Sequence, residues 1–451
     1  MDIVLRVKVI LMKQLKIKDN QYRSKEDFLE VSDVITRVAD RTLEQLQEDG
    51  VFVFPEMIRE SDDLTKDQMI LQSFNNMYVS GNVMGFFGVE KQRIVIESRF
   101  SKGDNDFFFQ YLLEKVLNFP NFVNLETNAR QEDSVFNLLI CLFPRYLKQA
   151  MRKGIFKTYI NNQYNDGNVR GAIDIARHIK KNTPFTGNIA YSQREYAYDN
   201  YLVELIRHTI EYIKGKDCGR VILNTVNDEV KQIVQVTSSY KASDRRKIIE
   251  ENRKNVVRHA YFHEYRSLQQ LCILILRNEK HQYGNGTTNV YGILFDGAWL
   301  WEEYLELLIG DIFYHPMNKA GNGAQRLFEG NNGLIYPDFI GKDKEYRIIA
   351  DAKYKPVNNI NGKDYLQLLA YMYRFDAKKG FYLYPEAGDI ENQRLRMNQG
   401  TTYEGNVSPR DDITIEKIGL RVPGESVDYS RFVEQMHISE CIFKENLRID
   451  D

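Results

Sequence analysis

Leu334-Ile335-Tyr336-Pro337-Asp338-Phe339-Ile340 and Tyr346-Arg347-Ile348-Ile349-Ala350-Asp351-Ala352-Lys353-Tyr354 are rich in β-branched and aromatic residues, and the polar turn Gly341-Lys342-Asp343-Lys344-Glu345 joins them. That pattern predicts two strands of a hairpin. Adjacent strands bring Asp338 and Asp351 within reach of one ion, and Lys353, two residues past Asp351, shares its face. Taken alone, Pro337-Asp338 is ordinary turn chemistry. The second strand changes the reading, because a charge flanked by two alanines interrupts an otherwise apolar run.

Two bare carboxylates about 5 Å apart, at an effective dielectric of about 20, repel by roughly 3 kcal/mol. A divalent cation turns that repulsion into attraction. Mg2+ takes hard oxygen ligands and borrows further oxygens from a substrate phosphate, so Asp338 and Asp351 are candidate metal ligands. Three roles are open to Lys353: orienting the attacking water, helping to deprotonate it, or offsetting the charge that builds on a phosphate. Downstream, residues 364–373 have helical periodicity that places Gln367 and Tyr371 on one face. Upstream, the apolar helix expected over 298–308 carries Glu302-Glu303 in its middle. A glutamate there either completes a metal shell or lies on the solvated edge of a core helix.

Leu300-Trp301-Glu302, Tyr336-Pro337-Asp338, Asp351-Ala352-Lys353-Tyr354-Lys355, Gln367 and Tyr382-Leu383-Tyr384-Pro385 together resemble McrC-type nuclease subunits of GTPase-driven restriction systems. The stretch 169–179, Glu195 and Asp199-Asn200 are similar to the LlaJI-like and BsuMI-like variants of that group. The resemblance spans roughly residues 80 to 385. It implies a PD-(D/E)xK (restriction-endonuclease-like) fold, with Asp338, Asp351 and Glu302 as Mg2+ ligands, Lys353 as the catalytic lysine and Gln367 as the glutamine of the following helix. It also implies DNA as substrate, an McrB-like AAA+ GTPase ring as partner, and a cognate cytosine DNA methyltransferase as a possible member of the same system. Two rival readings remain open: a RecB-like repair nuclease that cuts with Mg2+ alone, and a non-catalytic adaptor that stimulates the GTPase.

Gly215-Lys216, Gly341-Lys342 and Gly362-Lys363 are each followed by aspartate, and none closes a Gly-x-x-x-x-Gly-Lys loop. No nucleotide site is therefore expected in this chain, and GTP belongs with the partner. Cys141, Cys218, Cys272 and Cys441 are scattered without paired spacing, as in a cytoplasmic protein with reduced thiols. His259 and His263 are four apart but lack the glutamate of a zinc motif. No signal peptide and no membrane span is expected.

At 451 residues with 43% hydrophobic content, the chain should form more than one domain. The expected fold is α+β and multidomain. Residues 1–104 read as an amino-terminal α+β, partner-docking domain, with strands over 4–11 and 51–54, a helix over 34–47 and a hairpin turning at 89–92. Residues 105–285 read as a mainly helical middle domain. Residues 286–451 read as an α/β nuclease domain with a carboxy-terminal extension. The basic stretches Arg145, Lys148, Arg152, Lys153, Lys157 and Lys241, Arg245, Arg246, Lys247, Arg253, Lys254, Arg258 are either solvated helix faces or contacts to the DNA backbone.

Overall fold

The computed structural model describes residues 13–49, 51–54, 68–89, 92–103, 105–117, 131–216, 219–281, 290–316, 325–330, 332–390, 392–401, 405–424, 426 and 428–447. The chain is a mixed α+β protein. Its contacts group Met1–Val123 with Gly286–Asp451 in one unit and place Asn124–Asn285 in another. The sequence reading cuts at 104/105 and 285/286; the second boundary coincides, but the first falls at 123/124 and the two outer segments form one unit. The difference arises from strand Tyr291–Asp296, which lies antiparallel to Val83–Val89 and parallel to Val51–Phe54. It thereby completes a five-stranded sheet begun by the amino-terminal residues.

Local sequence accounts for that sheet. Val83–Val89, in the middle of the sheet, and Val51–Phe54, at its end, are buried at every position and read as continuous apolar runs. The expected hairpin forms, with Val89 opposite Gln92. The expected helix over 34–47 is instead two helices, Ser32–Val38 and Leu43–Asp49. The break falls at Asp40, whose positive φ of 58° cannot continue a right-handed helix. The strand expected over 4–11 lies outside the described residues.

The Asn124–Asn285 unit is not purely helical. Besides helices such as Tyr201–Lys214 and Glu264–His281, it holds an antiparallel sheet of Thr158–Asp166, Ile189–Ala197 and Ala172–Ile173. The first of these strands, Thr158–Asp166, is rich in Asn, a poor strand former. Cross-strand rings stand in for an apolar face: Tyr159 and Tyr196 lie 5.0 Å apart, Tyr164 and Tyr191 5.4 Å.

The second large sheet has six strands in the order Phe313–Tyr314, Phe339–Gly341, Ile348–Ala352, Lys379–Glu386, Val407–Arg421 and Gln393–Gly400. Helix Gly362–Phe375 covers one face, packing Leu368, Tyr371 and Met372 on Ile349, Tyr382 and Tyr384. Gly380 permits the close approach, since a Cβ there would stand 2.6 Å from Met372 Sδ. Helix Gly297–Ile309 packs on the alternate set of residues: Gly297 abuts the Tyr354 ring, and Trp301 Nε1 donates to Leu383 O at 3.0 Å. Among the described residues, no helix is long and apolar enough to cross a membrane.

Candidate metal centre

Chain direction in the hairpin creates the site. Leu334–Ile335 pairs with Gln325–Arg326 in a separate two-stranded sheet, Tyr336-Pro337 pass outside either ladder, and Phe339 begins the strand that pairs with Ala350 in antiparallel register. Proline has no N–H to give a ladder, so the break falls where the sequence dictates. Asp338 then stands one step beyond that pair, across from Asp351, and its Oδ2 accepts from the Ala352 amide at 2.9 Å. Alternation along the strand puts Asp351 on the face of Ile349, beneath helix Gly362–Phe375.

The resulting electrostatics are unusual for a strand. Asp351 is 1% exposed, and burial together with the neighbouring Asp338 carboxylate raises its pKa to about 7. Lys353 opposes the shift: its Nζ lies 2.6 Å from Asp351 Oδ2, although that oxygen meets no donor at hydrogen-bonding angles. Burial works against the Lys353 ammonium, but Asp351 and Asp338 outweigh it and hold its pKa above the usual lysine range. The carboxylates and the lysine are therefore mutually dependent.

Helix Gly362–Phe375 supplies the roof. Asn361 and Asp364 form a capping box at its start, and Asp364 also binds Lys355 at 2.7 Å and lies 3.8 Å from Lys353. Burial raises the Asp364 pKa, yet the bonds from Lys355 and Asn361 win and hold it low. Gln367 Nε2 donates to the Tyr371 hydroxyl at 2.8 Å, so the predicted pair does share a face. Burial first, and then the charges of Asp351 and Asp338, push the Tyr371 hydroxyl up, which places that face toward the carboxylates.

The structure thus brings Asp338, Asp351, Lys353 and the Gln367 helix to one face. Glu302 is half-buried on the helix packed against the other set of residues. Its neighbours Glu303 and Glu306 gather with His315, their ligand atoms within 4.8 Å of one another, and His315 Nδ1 lies 2.8 Å from Asp338 O. Sequence reading passed over Asp364 and His315. Asp364 has a legible signal, an aspartate three residues after Asn361 at a helix start, whereas His315 is brought near only by the pairing of Phe313–Tyr314 with Phe339–Gly341. The basic stretches are partly engaged: Lys153 binds Glu264 at 2.8 Å, Arg253 binds Glu250, and Lys157 lies over the Tyr196 and Tyr198 rings.

A buried carboxylate, Asp351, a half-buried one, Asp338, and a lysine on adjacent strands, under a helix that braces them, form a candidate site for a divalent cation bound through oxygen. The donor set fits such an ion: it is all oxygen, and one buried Asp351 oxygen lacks an aligned donor. Residues 79–385, more than half of the chain, match the family described as McrBC 5-methylcytosine restriction system component. The chain belongs to that family and is a component of a restriction system of the McrBC type. Among solved structures it is similar to one described as a refined half-complex from a tetradecameric assembly of Thermococcus gammatolerans McrB AAA+ hexamers with bound McrC. The identity is 14%, with 97% of this chain and 100% of that chain covered and a TM-score of 0.46. A second, the Thermococcus gammatolerans McrBC complex, shows 13% identity over 66% of this chain and 87% of that one, at a TM-score of 0.32. No curated protein sequence matches the chain.

Proposed function

We propose that the chain is the DNA-cutting subunit of its restriction system, a Mg2+-dependent PD-(D/E)xK endonuclease that works with an McrB-like AAA+ GTPase. The observation that carries this is the meeting of Asp338, Asp351 and Lys353 on one sheet face, with Asp351 buried and short of an aligned donor. Family membership and the lack of a P-loop in the sequence support a separate nucleotide-hydrolysing partner. The resemblance to LlaJI-like and BsuMI-like systems suggests unmethylated sites as targets if a cytosine methyltransferase gene stands beside this one.

Asp338 and Asp351 would hold the cation; Glu302, on the helix that packs against the opposite residues of the sheet, is the third carboxylate only by the family resemblance. When bound, Mg2+ supplies Lewis-acid activation of the scissile phosphate. Lys353, its ammonium 2.6 Å from Asp351 Oδ2, would offset the negative charge that develops on the phosphate. Asp364 keeps that ammonium near the site, and the Gln367–Tyr371 pair braces the helix above it.

Plasmid cutting by the purified chain tests the reading, with and without Mg2+ and with and without the AAA+ partner and GTP. Cutting should need all of these and vanish in Asp351→Ala, with circular dichroism unchanged. Cutting with Mg2+ alone would favour a self-sufficient nuclease. GTPase stimulation that survives the substitution, with no cutting by the wild type, would favour an adaptor.

A further inference from the structure

Tyr382 stands beside Asp351 in the sheet: the two are register partners on parallel strands, and their side chains share the face beneath helix Gly362–Phe375. Its ring is fully buried, 6.0 Å from the ring of Tyr365, and its hydroxyl is buried without a hydrogen-bond partner. Asp351 Oδ2 is likewise buried, with the Lys353 ammonium 2.6 Å away as its contact. Most of the other buried tyrosine hydroxyls near the middle of this unit are satisfied: Tyr111 and Tyr304 donate to Glu440, Tyr354 pairs with Ser98 and Tyr371 with Gln367. A phenylalanine would fill the same space without burying an unsatisfied polar atom. The hydroxyl therefore needs a use. Burial and the nearby Asp351 and Asp364 carboxylates disfavour its ionisation, so it stays a neutral donor.

We propose that Tyr382 is a positioning residue of the metal centre, its hydroxyl donating a hydrogen bond into the carboxylate pocket when a divalent cation is bound and so holding Asp351 in its ligating orientation. This rests on the nuclease reading of Asp338 and Asp351. A carboxylate that must ligate needs its second oxygen fixed by a donor, and partners of that kind typically change metal affinity by about 10- to 100-fold when removed. Lys353 cannot serve as that donor throughout, because its ammonium is needed on the phosphate side.

Tyr382→Phe tests the proposal in the full chain. In EDTA the variant should melt at the wild-type temperature or above it, since a buried, unpartnered hydroxyl has gone. Added Ca2+ should stabilise it less than wild type, and the Mg2+ concentration for half-maximal plasmid cutting should rise about tenfold or more. Tyr384→Phe, two residues along the same face, should respond to both ions as wild type does. If phenylalanine at 382 perturbs the fold, Tyr382→Met removes the hydroxyl with a flexible side chain and is read the same way. An unchanged Ca2+ shift and an unchanged Mg2+ requirement in a folded variant overturn the role of Tyr382 and leave the nuclease reading standing. A wild type that neither gains stability from Ca2+ nor cuts with Mg2+ overturns the metal centre itself.

Discussion

Replacing Asp351 by asparagine should make the metal-free protein more stable while abolishing its response to metal. Asp351 carries a pKa raised from 3.8 to about 7, by burial first and then by Asp338. A raised carboxyl binds its proton more tightly in the folded state than in the unfolded chain, so stability is fully present below about pH 4 and is lost as pH rises toward 7. The loss amounts to about 4 kcal/mol at pH 8, at about 1.4 kcal/mol per unit. At pH 5 it is about 2 kcal/mol, because the folded carboxyl is protonated there while the unfolded one is largely ionised. Asparagine keeps the shape without the charge, so it should recover up to about 4 kcal/mol at pH 8. That figure is an upper bound, since Lys353 loses its partner at 2.6 Å and keeps only Asp338 and Asp364 nearby. Urea melts or pulse proteolysis in EDTA at pH 8 and pH 5 measure the difference, and repeating the pH 8 melts with Ca2+ should stabilise wild type alone. Asp351→Asn less stable than wild type in EDTA at pH 8, or an advantage no larger at pH 8 than at pH 5, would refute the reasoning.

The same raised pKa predicts that cation binding weakens about tenfold for each pH unit below about 7, where the proton competes for Asp351; calorimetric titration of Mn2+ at pH 5.5 to 8 reads the slope. Gly297→Ala should destabilise the fold by about 1 to 3 kcal/mol, because its Cβ would stand 2.5 Å from the Tyr354 ring; a melting temperature equal to wild type would mean that the helix shifts freely. Trp301→Phe removes one of two donors to Leu383 O, which keeps the Lys353 amide at 2.9 Å, and should cost about 0.5 to 1.5 kcal/mol, measured by urea melts, with no change in the metal response of the folded fraction. Asp364→Asn should weaken the hold on Lys355 and Lys353 together and lower the turnover of DNA more than the affinity for it, which single-turnover cutting separates from filter binding.

Short-range signals were legible where one residue's covalent nature fixes the outcome. Pro337 lacks a ladder N–H whatever surrounds it, the alternation of Ile349, Asp351 and Lys353 holds for any strand, and the four-residue spacing of Gln367 and Tyr371 holds for any helix. The Thr158–Asp166 and Ile189–Ala197 strands were not legible, since their stability comes from tyrosine pairs formed only after the strands meet.

The sequence by itself determined the hairpin, the two carboxylates and the lysine that follows them, because period-two geometry and proline chemistry are local. Only the tertiary structure decided that Tyr291–Asp296 joins the amino-terminal sheet, that Asp364 and Tyr382 stand near the Asp351–Lys353 pair, and that His315 meets the Asp338 backbone carbonyl. It also decided that Asp351 is buried deeply enough for its charge to be costly. Desolvation is a property of everything packed around a group, and the neighbours of Asp351 come from strands and helices that are distant in the chain.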